Sequence, residues 1–200
     1  NGGSSVTDAT YDFNSTLTAP QTPTKEGYSF AGWLLDGETY DFNTLMPAEN
    51  ITLIARWTVN SYNVNFNSNG GSNVAGIRVE FGSKVTKPTD PTKTGYTFAG
   101  WLLDNEAYDF DSAMTANNIT LVAKWTANQY TINFDANGGT GSMANQAFVY
   151  DAEDNLEVNS FSLTGSTFKG WATSATGEVV YTDGQKVKNF FKGFTKKIFY

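Results

Sequence analysis

Gly27-Tyr28-Ser29-Phe30-Ala31-Gly32-Trp33-Leu34-Leu35-Asp36 returns 68 residues later as Gly95-Tyr96-Thr97-Phe98-Ala99-Gly100-Trp101-Leu102-Leu103-Asp104. The same shift carries Asn1-Gly2-Gly3 onto Asn69-Gly70-Gly71. It also carries Ile51-Thr52-Leu53 and Trp57 onto Ile119-Thr120-Leu121 and Trp125. Laid over 69–126 without a gap, residues 1–58 match at 34 of 58 positions. A third, looser copy carries Asn137-Gly138-Gly139 and Phe168-Lys169-Gly170-Trp171. The chain is an array, and a period of this length marks a structural unit used repeatedly. Near-copies supply reach, spacing or multivalency more readily than catalysis.

The period divides the chain into three modules: 1–58, shortened at its N-terminal side; 59–126, intact; and 127–200, divergent and shortened at its C-terminal side. An intact module of 68 residues is small for a free-standing core and needs dense packing. Aromatic residues make up 15% of the chain, and most recur at equivalent repeat positions, as a core nucleus in each copy would require.

In the second copy, Tyr62, Val64 and Phe66 alternate with polar residues and predict a strand with one buried face. Asn69-Gly70 is a turn signal, and Ile77, Val79 and Phe81 predict the second arm of a hairpin. Pro88 and Pro91 exclude a central strand and predict an extended crossing segment. Tyr96 and Phe98 then point one way along a third strand. Tyr108-Asp109-Phe110 reads as a short strand, and Asp111-Ser112 as the start of a helical turn through Met114. Ile119, Leu121, Ala123 and Trp125 form the clearest alternation in the module. The links between copies, 58–61 and 126–129, are short and hold neither Gly nor Pro, which limits hinge freedom.

The chain has no cysteine and no histidine. That removes thiolate nucleophiles, Cys-ligated zinc, the Ser-His-Asp triad and the commonest metal ligand. A formal charge of −7 disfavours a nucleic-acid partner, and no apolar run reaches membrane-spanning length.

The combined motifs resemble the Listeria–Bacteroides repeat, the B-repeat of internalin-type surface proteins. They are Asn67-Ser68-Asn69-Gly70-Gly71, the Lys-Pro-x-x-Pro-x-Lys-x-Gly-Tyr-x-Phe-x-Gly-Trp core at 87–101, and the closing Ile-Thr-Leu-x-Ala-Lys-Trp at 119–125. The resemblance implies a β-rich α+β fold: a tandem, elongated array of three small β-grasp-like (ubiquitin-like) modules. It implies an extracellular setting, on the surface or in the cell wall of typically Gram-positive bacteria. There the modules would form a non-enzymatic stalk or spacer that projects the binding domain of an adhesin. The second function class is a weak multivalent module for host or cell-wall glycans or a protein receptor. The family supplies no catalytic residue, metal or cofactor to carry over, and a monomer is expected.

Four residue groups are candidate sites, each with a purely structural alternative. Tyr28, Phe30 and Trp33, with Tyr96, Phe98 and Trp101, could stack on sugars, or could be core; Trp33 and Trp101 are the candidate contacts. Asp36, Glu38 and Asp41, with Asp104, Glu106 and Asp109, could bind calcium, although they lack an EF-hand spacing. Glu38 with Asp41 and Glu106 with Asp109 are also conceivable glycosidase pairs, but their duplication argues for a structural part. Lys188, Lys192 and Lys196 belong to a basic, aromatic tail that follows the last acidic residue, Asp183. It could meet an anionic wall polymer, or could be the outward face of closing strands.

Overall fold

A computed structural model describes residues 2–189. Lys192 and Lys196 lie outside the described residues. Twelve strands run in chain order: β1 (Tyr28–Leu35), β2 (Glu38–Thr39), β3 (Ile54–Val59), β4 (Ser61–Asn67), β5 (Ile77–Glu80), β6 (Tyr96–Leu103), β7 (Glu106–Ala107), β8 (Ile119–Ala127), β9 (Gln129–Ile132), β10 (Gln146–Val149), β11 (Glu153–Asn155) and β12 (Lys186–Lys188). No helix occurs among the described residues, so the helical part of the α+β expectation is corrected. The residues between β5 and β6 hold Gly82, Pro88 and Pro91. They cannot sustain a helical ladder, because proline removes a donor and clashes with the preceding turn.

The helical turn expected at Asp111 is a hydrogen-bonded Asx turn instead. Asp109 Oδ1 accepts the N–H of Asp111 at 2.9 Å, which fixes the backbone locally. Met114 is drawn out of any helix by backbone bonds across the module. Its N–H donates to Ser83 O, and its carbonyl accepts from Gly82 N–H. The short strand expected at Tyr108 lies two residues earlier, as β7.

The intact copy forms a five-stranded sheet of order β5-β4-β8-β6-β7. The hairpin β4–β5 is antiparallel, whereas β4 and β8 are parallel, with Val64 opposite Ile119 and Phe66 opposite Leu121. A parallel pair needs a long crossover, here everything from β5 to β7. Copy one has the corresponding three-stranded sheet β2-β1-β3. A bulge at Phe30/Gly32 breaks the β1–β3 register, where Gly32 adopts φ +121°. Asp36 and Gly37, at φ +48° and +88°, close the β1–β2 hairpin, the two-residue geometry that matches strand twist.

By packing, the described residues fall into two compact units. One comprises the residues up to 69 with 73–89 and 100–123; the other comprises 70–72, 90–99 and those from 124 onward. In the first, Val64, Leu121, Ala123, Met114 and Trp101 are almost fully buried, and Trp101 meets Phe66 edge-on at 5.0 Å. In the second, Trp171 is buried among Ile132, Phe148, Leu156 and Val187, with Phe134 and Phe168 packed against it. Here β11 and β12 pair antiparallel. This brings the acidic stretch after Tyr150 onto the lysines near 186, a pairing between residues over thirty positions apart that periodicity does not reveal.

Candidate functional site at the joints between repeats

Where copy one meets copy two, a single linker residue, Asn60, closes the joint. Its N–H donates to Gly27 O at 2.9 Å, and its carbonyl accepts the N–H of Phe81 at 2.9 Å. Its side-chain Oδ1 accepts from Ser29 Oγ at 2.6 Å. Phe81 then packs edge-on against Tyr28, with centroids 5.9 Å apart. The ring lies where a side chain on Gly27 would start: a Cβ there would sit 2.2 Å from ring carbons. Gly27 also has φ +75°, so glycine is required twice over.

The joint recurs between copies two and three. Asn128 N–H donates to Gly95 O and its carbonyl accepts from Tyr150 N–H, both at 2.9 Å. Asn128 Oδ1 accepts from Thr97 Oγ1 at 2.7 Å. Tyr150 lies edge-on to Tyr96 at 5.4 Å and fills the space over Gly95. This second joint has an addition. Tyr96 Oη donates to Asp151 Oδ2 at 2.9 Å, while Asp151 N–H donates to Asn189 Oδ1 and Asn189 Nδ2 donates to Asp151 Oδ1. The amide of Asn189, then the phenol of Tyr96, hold the Asp151 carboxyl below its ordinary range. The same hydrogen bond from the other side raises Tyr96.

A second cluster also recurs. Lys25 Nζ lies 4.3 Å from the Tyr28 ring centre and 5.9 Å from that of Trp57; Lys93 lies 4.5 Å from Tyr96 and 5.8 Å from Trp125. Both tryptophans press on a glycine of the Asn-Gly-Gly turn, Gly3 or Gly71.

The model of the Listeria-Bacteroides repeat domain matches this chain three times, over residues 1–56, 62–124 and 130–190. The chain belongs to that family. A putative membrane protein of Evansella cellulosilytica is 44% identical over 146 residues, covering 70% of this chain and 22% of that protein. A putative Gly-rich membrane protein of the same organism is 39% identical over 177 residues, 86% of this chain and 20% of its own length. Internalin H of Listeria monocytogenes is 42% identical over 130 residues, 61% of this chain and 23% of its own length. The chain thus spans about a fifth of these relatives. No solved structure matches it.

Several of the other candidate residues of this Listeria-Bacteroides repeat array can be placed in the structure. Trp33 and Trp101 are 9% and 3% exposed, so neither offers a ring face to a sugar; each packs edge-on against a phenylalanine, Phe30 or Phe66. Lys188 is exposed on β12, opposite Glu153, while Val187 between the lysines is buried. Lys186 pairs with Glu153. On β12 the two lysines are exposed and the valine between them is buried. Asp41 and Asp109 serve their own turns, accepting from Asn43 and Asp111 N–H. Asp109 is held below its ordinary value first by the Asp111 backbone, then by the Ser112 hydroxyl. Glu106 and Asp109 line an open cleft of about 310 Å³, with the Asp109 carboxylate tied to its own turn. No group of three acidic side chains stands ready for a metal among the described residues. No helix among them is long and apolar enough to cross a membrane.

Proposed function

We propose that the chain is a non-enzymatic spacer region of a bacterial cell-surface protein, holding an attached binding domain away from the wall. The observation that carries this is the joint. Two linkers of different sequence context close with the same three hydrogen bonds and the same ring-over-glycine packing, and a repeated coupling of one geometry is what a spacer requires. Membership of a family shared with an internalin supports the surface setting. A parallel central pair flanked by two hairpins supports a β-grasp likeness for each module.

The test is replacement. A head domain displayed on cells through this chain is compared with the same head displayed through an unrelated repeat array of equal reach. Equal capture of the head's ligand is expected; capture lost with the unrelated array overturns the spacer. Scattering from the chain should give an extended particle. The multivalent-binder alternative draws on the recurring Lys25 and Lys93 clusters. Glycan-array binding by the isolated chain that Lys25→Ala with Lys93→Ala abolishes would establish it in place of the spacer.

A further inference from the structure

Phe81 and Tyr150 follow the second strands of their copies, and both rings are spent on the preceding copy. Phe13 stands one period before Phe81, in the same backbone. Asn14 N–H donates to Met46 O as Gly82 N–H does to Met114 O. Met46 N–H donates to Ser15 O as Met114 N–H does to Ser83 O. Asn14, Gly82 and Asp151 all take positive φ, +68°, +79° and +62°. The residue is built like its counterparts, yet Phe13 is 70% exposed, the most open large hydrophobic among the described residues.

We propose that Phe13 is a docking residue whose partner is the Gly-Tyr turn of a further repeat of this kind. The partner's chemistry is set by the two filled joints. It needs a glycine at positive φ that leaves room for the ring, a tyrosine edge beside it, and a linker asparagine to receive the backbone N–H. A second copy of this chain does not supply one. Its Gly27-Tyr28 and Gly95-Tyr96 turns are already occupied. In its third turn Ser166 follows Gly165, so the ring that would receive Phe13 is missing. On this reading the array extends on the side of copy one by the same coupling. This holds whether the array serves as a spacer or as a binder.

The test places residues 1–68 directly before residue 1 of the whole chain, which preserves the period and presents a Gly27-Tyr28 turn to the original Phe13. In the unextended chain Phe13→Ser should leave the thermal midpoint unchanged, because the ring is already in water. In the extended chain the same substitution should lower the midpoint by as much as Phe81→Ser does, and Phe13→Tyr should not, since Tyr150 fills that place in the second joint. Tyr28→Ser in the added copy should remove most of the Phe13 effect. Equal effects of Phe13→Ser in both chains would overturn the proposal. So would concentration-dependent self-association of the unextended chain that Phe13→Ser abolishes, because the occupant would then be a second copy.

Discussion

Gly27 and Gly95 each carry two demands, a positive φ and a ring in the place of a side chain. Gly37 carries only the first, with open space around it. Alanine at Gly37 should therefore cost about 1–2 kcal/mol from the left-handed backbone alone. Alanine at Gly27 or Gly95 adds the displacement of an aromatic ring and should cost roughly 2–4 kcal/mol in all; urea unfolding of the three variants separates the two contributions. The second joint carries a carboxylate that the first lacks, because Gly82 stands at the position of Asp151. The carboxyl of Asp151 is lowered in the fold, so its contribution is complete above the ordinary carboxylate value and is lost as pH falls through the depressed one. Tyr96 is raised, so its contribution is complete below the ordinary 10.0 and is lost as pH rises through the raised value. Asp151→Asn should make the acid limb of stability, measured by tryptophan fluorescence, shallower, with Asp109 and Glu153 sustaining what remains of it. An unchanged acid limb would dismiss Asp151 as its source.

At the level of the element, the parallel pairing of β4 with β8 decides how deeply the closing strand is buried. Leu121 and Ala123, on β8, are 0% and 1% exposed, while their counterparts are half-buried: Leu53, just before β3, and Ala55, on β3, which pairs only with β1. Leu121→Ala should cost about 2–5 kcal/mol and Leu53→Ala distinctly less, about 1–2 kcal/mol. Equal losses on denaturation would contradict the assigned topology. Most strands were legible because alternation exposes a half-buried face directly: Tyr62-x-Val64-x-Phe66 and Ile119-x-Leu121-x-Ala123 are two-period patterns. The turn at Asp111 was not, because a cap-forming side chain starts a helix and closes an Asx turn with the same hydrogen bond. What separated the two was Met114 bonding to Ser83, a contact between residues about thirty apart. Phe13 carries no mark in the local sequence for a similar reason, since only its surroundings set against those of Phe81 and Tyr150 distinguish it.

Across the whole molecule, each linker asparagine ties one copy to the next through both backbone groups and its side chain. Stability in such an array approximates a sum of module and neighbour terms. Asn60→Ala and Asn128→Ala remove the Oδ1 acceptor at each joint, a loss of about 1 kcal/mol apiece. They should therefore broaden or split the calorimetric transition while leaving strand content intact; a transition that shifts without broadening would place the asparagines inside a module's own stability. By itself the sequence determined the period, the alternating strands, the glycine-marked turns and the family, because these are local in the chain and are repeated within it. Only the tertiary structure decided that the Gly-Tyr turn is a seat for the next copy's aromatic ring, that β4 runs parallel to β8, and that acidic β11 faces basic β12. Each of these joins residues far apart in the chain, and such partners are chosen by packing and hydrogen bonding in three dimensions, which no local pattern records.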